Sequence, residues 1–117
     1  MVHPILQILE ERKNGKKVGV PSYCTANRKV IETILRDAAK NERVVLIEAT
    51  ANQVDQFGGY TGMQPKDYVR FIKEIAEQTG CDMGRIILGG DHLGPLTFCR
   101  DPEEIAMDKA EALVRAY

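Results

Sequence analysis

Asp91 and His92 stand side by side directly after Arg85–Ile86–Ile87–Leu88–Gly89–Gly90, and Leu93–Gly94–Pro95 follows them. A carboxylate beside an imidazole can exchange protons at a reacting carbon, and the ring can bind a divalent metal. The plain alternative is structural. Asp91 then caps the following turn, and His92 is a satisfied polar group at a strand end. Metal centres use three or four donors, so the pair alone does not define one.

The pair gains meaning from the element that carries it. The run before it is apolar and lacks polar alternation, which predicts a buried parallel strand over Arg85–Gly90. Asp91 and His92 then fall at its carboxyl end, where α/β folds place their chemistry. Gly89 and Gly90 have no Cβ, so a ligand or a neighbouring backbone can approach closely.

The remaining elements follow from periodicity and punctuation. A leading helix is predicted over Pro4–Asn14, with Ile5, Leu6, Ile8 and Leu9 on one face and Gly15 ending it. His3 reads as a solvated terminal residue. Val18–Gly19–Val20 predicts a short strand limited by Pro21, and Ser22–Asn27 a polar loop. Asn27 can cap a helix over Arg28–Lys40 whose stripe is Val30, Ile31, Ile34, Leu35 and Ala38. Val44–Ile47 predicts a second strand, with Glu48 at its end. Ala51–Met63 is a loop rich in amides and glycine, long enough to suggest function. Pro65 opens a third helix carrying Tyr68, Phe71, Ile72, Ile75 and Ala76 inward, with Gly80 at its end. Asp101–Pro102–Glu103–Glu104 predicts a cap and a last helix bearing Ile105, Ala106, Ala110, Leu113 and Val114.

A leading helix and three strand–helix units imply right-handed crossovers and a parallel sheet in a single domain, residues 1–117. Every polar candidate falls on a strand-to-helix connection, hence on one face of that sheet. Glu48 could bind metal or sugar hydroxyls, or pair with Arg85 or Arg43. Ser22, Asn52, Gln53 and Gln56 could bind polyol hydroxyls, or simply bond within their loops. Gly58, Gly59 and Gly62 could offer N–H groups to a phosphate, although none opens a helix as a phosphate loop would. Nothing in the sequence marks Cys24 as a low-pKa nucleophile.

Bulk properties exclude several classes. Net charge is −1, without the basic excess of a nucleic-acid binder. No apolar stretch approaches the roughly 18 residues of a membrane span. Met1–Val2–His3–Pro4 does not read as a secretory signal. Cys24, Cys81 and Cys99 form no Cys-x-x-Cys pair and suggest free thiols in a cytoplasmic protein.

Two stretches resemble one family. Leu46–Ile47–Glu48–Ala49–Thr50–Ala51–Asn52–Gln53–Val54–Asp55–Gln56–Phe57–Gly58–Gly59–Tyr60–Thr61–Gly62–Met63 is similar to the second strand and loop of the GatZ/KbaZ family. Arg85–Pro95 is similar to its third strand. These are class II D-tagatose-1,6-bisphosphate aldolase subunits, formerly labelled tagatose-6-phosphate kinases. The resemblance implies a (β/α)8 TIM barrel, of which this chain would supply a leading helix and the first three βα units. A closed barrel takes roughly 250 residues, so the remainder would come from a longer chain or from assembly with other chains. Two open strand edges also imply self-association. The pattern departs from the family at Leu96–Thr97–Phe98, where an Asn and an aromatic are expected after Gly–Pro, and at Asn27–Arg28, where His–Pro is expected.

The resemblance also implies roles. Asp91 would be the catalytic acid/base and His92 a zinc ligand, with further ligands from later strands. Ser22, Glu48, Asn52 and Gln53 would contact a ketose phosphate. The family is usually assigned a non-catalytic, stabilising role beside a catalytic GatY/KbaY-type aldolase subunit, in galactitol, N-acetylgalactosamine and tagatose 6-phosphate catabolism. One alternative is a metal-dependent 4-epimerase interconverting tagatose 6-phosphate and fructose 6-phosphate by retro-aldol chemistry. Another is a sugar-phosphate binding module without turnover. Whether the protein is itself an enzyme stays open at this point, and these residues alone are expected to be inactive.

Overall fold

The structure, a computed structural model, describes residues 2–117. The leading helix α1 spans Pro4–Lys13 and stops at Gly15, whose φ of 82° few other residues adopt. His3 is not merely solvated: its Nδ1 accepts the Ile5 N–H at 3.3 Å and caps the helix. The apolar face of α1 is not buried, and Leu6 and Leu9 lie exposed.

Three parallel strands follow, β1 (Ser22–Cys24), β2 (Val45–Thr50) and β3 (Ile86–Asp91), in the order β1-β2-β3. The first strand is four residues later than Val18–Val20, the stretch the sequence suggested. Pairing decides this. Leu46 N–H donates to the Pro21 carbonyl at 3.1 Å, so the ladder begins there and Val18–Val20 precede it without a partner. Ser22–Cys24 is therefore strand rather than loop. β2 likewise continues through Glu48, Ala49 and Thr50 because each pairs with β3, the last opposite Asp91.

Alternation along β2 separates the two faces of the sheet. Val45, Ile47 and Ala49 are fully buried under α2 (Arg28–Lys40) and α3 (Pro65–Thr79). Ile31, Ile34, Leu35 and Ala38 of α2 and Tyr68, Ile72, Ile75 and Ala76 of α3 complete this core. Asn27 caps α2 as its position suggested, its Oδ1 accepting from Lys29 N at 3.0 Å and Val30 N at 3.2 Å. Val30, at the edge of the apolar stripe, is exposed.

The other face bears no helix. Register places Ser22 and Cys24 of β1, Leu46, Glu48 and Thr50 of β2, and Ile87, Gly89 and Asp91 of β3 on it. The chain is accordingly less compact than a closed domain. Its Cα radius of gyration is 15.8 Å, against about 13 Å for a compact chain of this length.

The last helix, α4 (Glu103–Ala116), packs through Ala106, Ala110 and Leu113, while Ile105 and Val114 are exposed. Asp101 does not cap it. Pro102 occupies the cap position, and the Asp101 carboxylate turns back to Lys109 Nζ at 2.8 Å. Among the described residues no helix is long and apolar enough to cross a membrane.

Candidate functional site

The uncovered face and its carboxyl rim collect most of the residues that could do chemistry. Glu48, half-buried in mid-strand on β2, accepts a hydrogen bond from the Ser22 hydroxyl of the neighbouring strand. Neither arginine reaches it. Arg43 pairs with Asp37 at 3.4 Å, and Arg85 donates to the Glu42 carbonyl at 2.6 Å. Both sit at the amino end of the strands, away from Glu48.

Asp91, the last residue of β3, is contacted from two sides. The Cys24 thiol donates to its Oδ2 at 3.5 Å, and His92 Nε2 lies 3.5 Å from the same oxygen. Among the described residues its Oδ1 has no hydrogen-bond partner. His92 leaves the strand with φ at 53°, an uncommon conformation for a residue bearing a Cβ. Its side chain is 77% exposed and stands at the wall of an open cleft of about 770 Å³. Thr50, Asn52, Leu96, Thr97 and Cys99 line that cleft with it.

The sulfur of Cys24 is partly desolvated and faces the Asp91 and Glu48 carboxylates. These effects, desolvation first and the Asp91 hydrogen bond next, push its pKa up to about 11. It is a thiol at neutral pH, which argues against nucleophilic catalysis and makes it a hydrogen-bond donor.

The loop after β2 is built from its own polar groups. Asp55 is buried, and its Oδ1 accepts from Phe57 N at 2.7 Å and Gly59 N at 2.9 Å. Gly59 has φ of 55°, and a Cβ there would lie 2.5 Å from the Gln53 carbonyl oxygen. The Gly58 N–H bonds the Asp55 carbonyl. Those two glycine N–H groups are therefore engaged within the loop, where the sequence left a phosphate contact open. Gln53 folds back so that its Oε1 accepts from Thr50 N at 2.9 Å. Asn52 instead faces the cleft, its Oδ1 3.4 Å from Thr97 Oγ1.

Ser22, Glu48, Asp91 and His92 thus share one surface, Asn52 stands beside it, and Gln53 is turned toward its own loop. What approaches Gly90 is the Leu93 and Tyr117 side chains, within 3.0 Å of where its Cβ would be. Sequence reasoning missed two structural anchors. Tyr68 OH reaches from α3 to the Thr25 carbonyl at 2.7 Å and the Glu48 carbonyl at 3.3 Å. Tyr117 OH donates to the Val54 carbonyl at 3.1 Å. It also missed the link from Cys24 to Asp91, which depends on how the three strands curve.

A zinc ion takes three or four protein donors. Among the described residues no three His, Cys, Asp or Glu side chains form a ligand group. Asp91 and His92 offer two donors, so the residues present do not complete such a site.

Residues 5–117 match the model of a family described as D-tagatose-1,6-bisphosphate aldolase subunit GatZ/KbaZ-like. The chain belongs to that family. It is 49% identical over 110 residues to the D-tagatose-1,6-bisphosphate aldolase subunit GatZ of Klebsiella pneumoniae, covering 94% of this chain and 26% of that one. The GatZ subunit of Salmonella enteritidis is 47% identical over 111 residues, 95% of this chain and 26% of the relative. A crystal structure described as a probable tagatose 6 phosphate kinase from Sinorhizobium meliloti superposes with a TM-score of 0.81 at 49% identity. That match covers 86% of this chain and 26% of the other. The chain spans about a quarter of the length of the relatives it matches. Within this GatZ/KbaZ-like chain, the α/β order and parallel sheet are those of the solved relative.

Proposed function

We propose that these residues are the amino-terminal part of a cytoplasmic subunit of D-tagatose-1,6-bisphosphate aldolase that stabilises a catalytic partner of the GatY/KbaY type. The observation that carries this reading is the match of residues 5–117 to a family of such subunits. The sheet supports a TIM barrel as the parent fold. Cys24 on β1 touches Asp91 on β3 across the intervening β2. Flat neighbouring strands stand about 4.8 Å apart, so strands two apart are separated by about twice that. Curling toward the uncovered face brings their side chains together, as on the inside of a barrel. The test is the heat stability of the catalytic partner's aldolase activity with and without the full-length protein.

A second reading, a 4-epimerase of tagatose and fructose 6-phosphates, rests on one observation: Asp91 and His92 lie 3.5 Å apart at the rim beside an open cleft. In it Asp91 takes the proton of the C4 hydroxyl as the C3–C4 bond breaks, and returns it to that oxygen when the bond re-forms on the other face of the aldehyde. Ser22, Glu48 and Asn52 would hold the ketose phosphate hydroxyls, whereas Gln53 is turned into its own loop by the Thr50 N–H. His92 would be one zinc donor, with the others supplied from outside these 117 residues. Metal-dependent exchange of the two hexose 6-phosphates by the full-length protein, abolished by His92→Ala, is the expected result. A full-length protein without that activity contradicts it.

A further inference from the structure

We propose that Cys24 is a positioning residue for Asp91: its thiol holds Oδ2 from across the sheet and leaves Oδ1 as the oxygen free to act. The proposal deepens the second reading above and rests on Asp91 being an acid/base.

Two observations carry it. Cys24 and Asp91 sit on strands that do not pair with each other, yet Sγ lies 3.5 Å from Oδ2. The second group near Asp91, His92 Nε2, lies 3.5 Å from the same Oδ2, so both neighbours sit at one oxygen. A carboxylate held by one oxygen keeps its plane fixed, and its other lone pairs point in one direction. No proton leaves the sulfur in this role.

The test uses the full-length protein and 4-epimerisation of D-tagatose 6-phosphate, with wild type, Cys24→Ala, Cys24→Ser and Asp91→Ala compared. Raman difference spectra of the Cys24 S–H stretch supply a readout independent of turnover. Asp91→Ala is expected to abolish turnover. Cys24→Ala is expected to lower kcat by about tenfold to a hundredfold with KM unchanged, as for a misplaced catalytic group. Cys24→Ser, which keeps a donor on a shorter arm, should recover part of the loss. The S–H band should move to higher frequency in Asp91→Ala. Wild-type kcat in Cys24→Ala, with Asp91→Ala inactive, overturns the positioning role alone. An S–H band that ignores Asp91→Ala also overturns it. Turnover retained in Asp91→Ala, or absent from wild type, overturns the acid/base reading, and the positioning role falls with it.

Discussion

Cys24 on β1 and Asp91 on β3 meet above the strand that separates them, Sγ to Oδ2 3.5 Å. The contact ties the two edges of the sheet together on the face that no helix covers. It also sets the chemistry of the thiol, whose pKa rises from 9.0 to about 11.

That shift predicts a slow thiol. At pH 8 a pKa raised by two units leaves about one hundredth of the usual thiolate, and after allowing for the greater nucleophilicity of a more basic thiolate, alkylation of Cys24 should be about tenfold slower than that of a free cysteine. Iodoacetamide labelling followed by peptide mass spectrometry measures it. Asp91→Ala should speed the reaction. Labelling at the rate of an unhindered cysteine peptide would show that the thiol is not held in this environment.

The pH dependence of stability has a definite sign. Cys24 and Tyr117 both have folded pKa values raised, Tyr117 to about 12, with desolvation the leading cause in each. The unfolded chain releases these protons first, near their ordinary values of 9.0 and 10.0. Stability is therefore full below about pH 9 and lost as pH rises toward 11 and 12. Denaturant midpoints at pH 8 and pH 10.5 should show the fall, and Cys24→Ala should reduce it. A midpoint that stays level, or rises, contradicts the assignment.

Tyr68 fastens α3 to the carboxyl ends of β1 and β2. Its ring is buried and its hydroxyl bonds the Thr25 and Glu48 carbonyls. Tyr68→Phe keeps the ring and loses the hydroxyl, which should cost about 1–2 kcal/mol. The loss appears as a lower thermal midpoint. An unchanged midpoint would mean that water replaces the hydroxyl without cost.

Gly59 and Gly62 share positive φ but differ in room. A Cβ on Gly59 would meet the Gln53 carbonyl at 2.5 Å, whereas one on Gly62 meets nothing within 4 Å. Gly62→Ala should cost about 1 kcal/mol from φ alone, and Gly59→Ala clearly more because the loop must shift. Equal losses in thermal unfolding would contradict the close approach seen between Gly59 and Gln53.

Much of this molecule was legible in the sequence. The 3.6-residue stripes of α2 and α3, Asn27 as a cap and Gly80 as a stop are local signals, and each appears where its pattern placed it except Val30, which the α2 stripe included and the structure leaves exposed. The first strand was not legible, because Val18–Val20 carries the stronger β propensity. Only the start of the ladder at Pro21 selects Ser22–Cys24. Asp101 was misread for a similar reason: its partner, Lys109, lies two helical turns away. Asp91 and His92 stood out because a strand end concentrates chemistry. Cys24 did not, since its link to Asp91 depends on how three strands curve, which no local pattern encodes.

The family assignment leads to one direct measurement. The catalytic partner's cleavage of D-tagatose 1,6-bisphosphate would be followed during incubation at elevated temperature, with and without the full-length protein. The account predicts that the activity survives markedly longer when the full-length protein is present. A half-life unaffected by its addition would contradict a stabilising subunit.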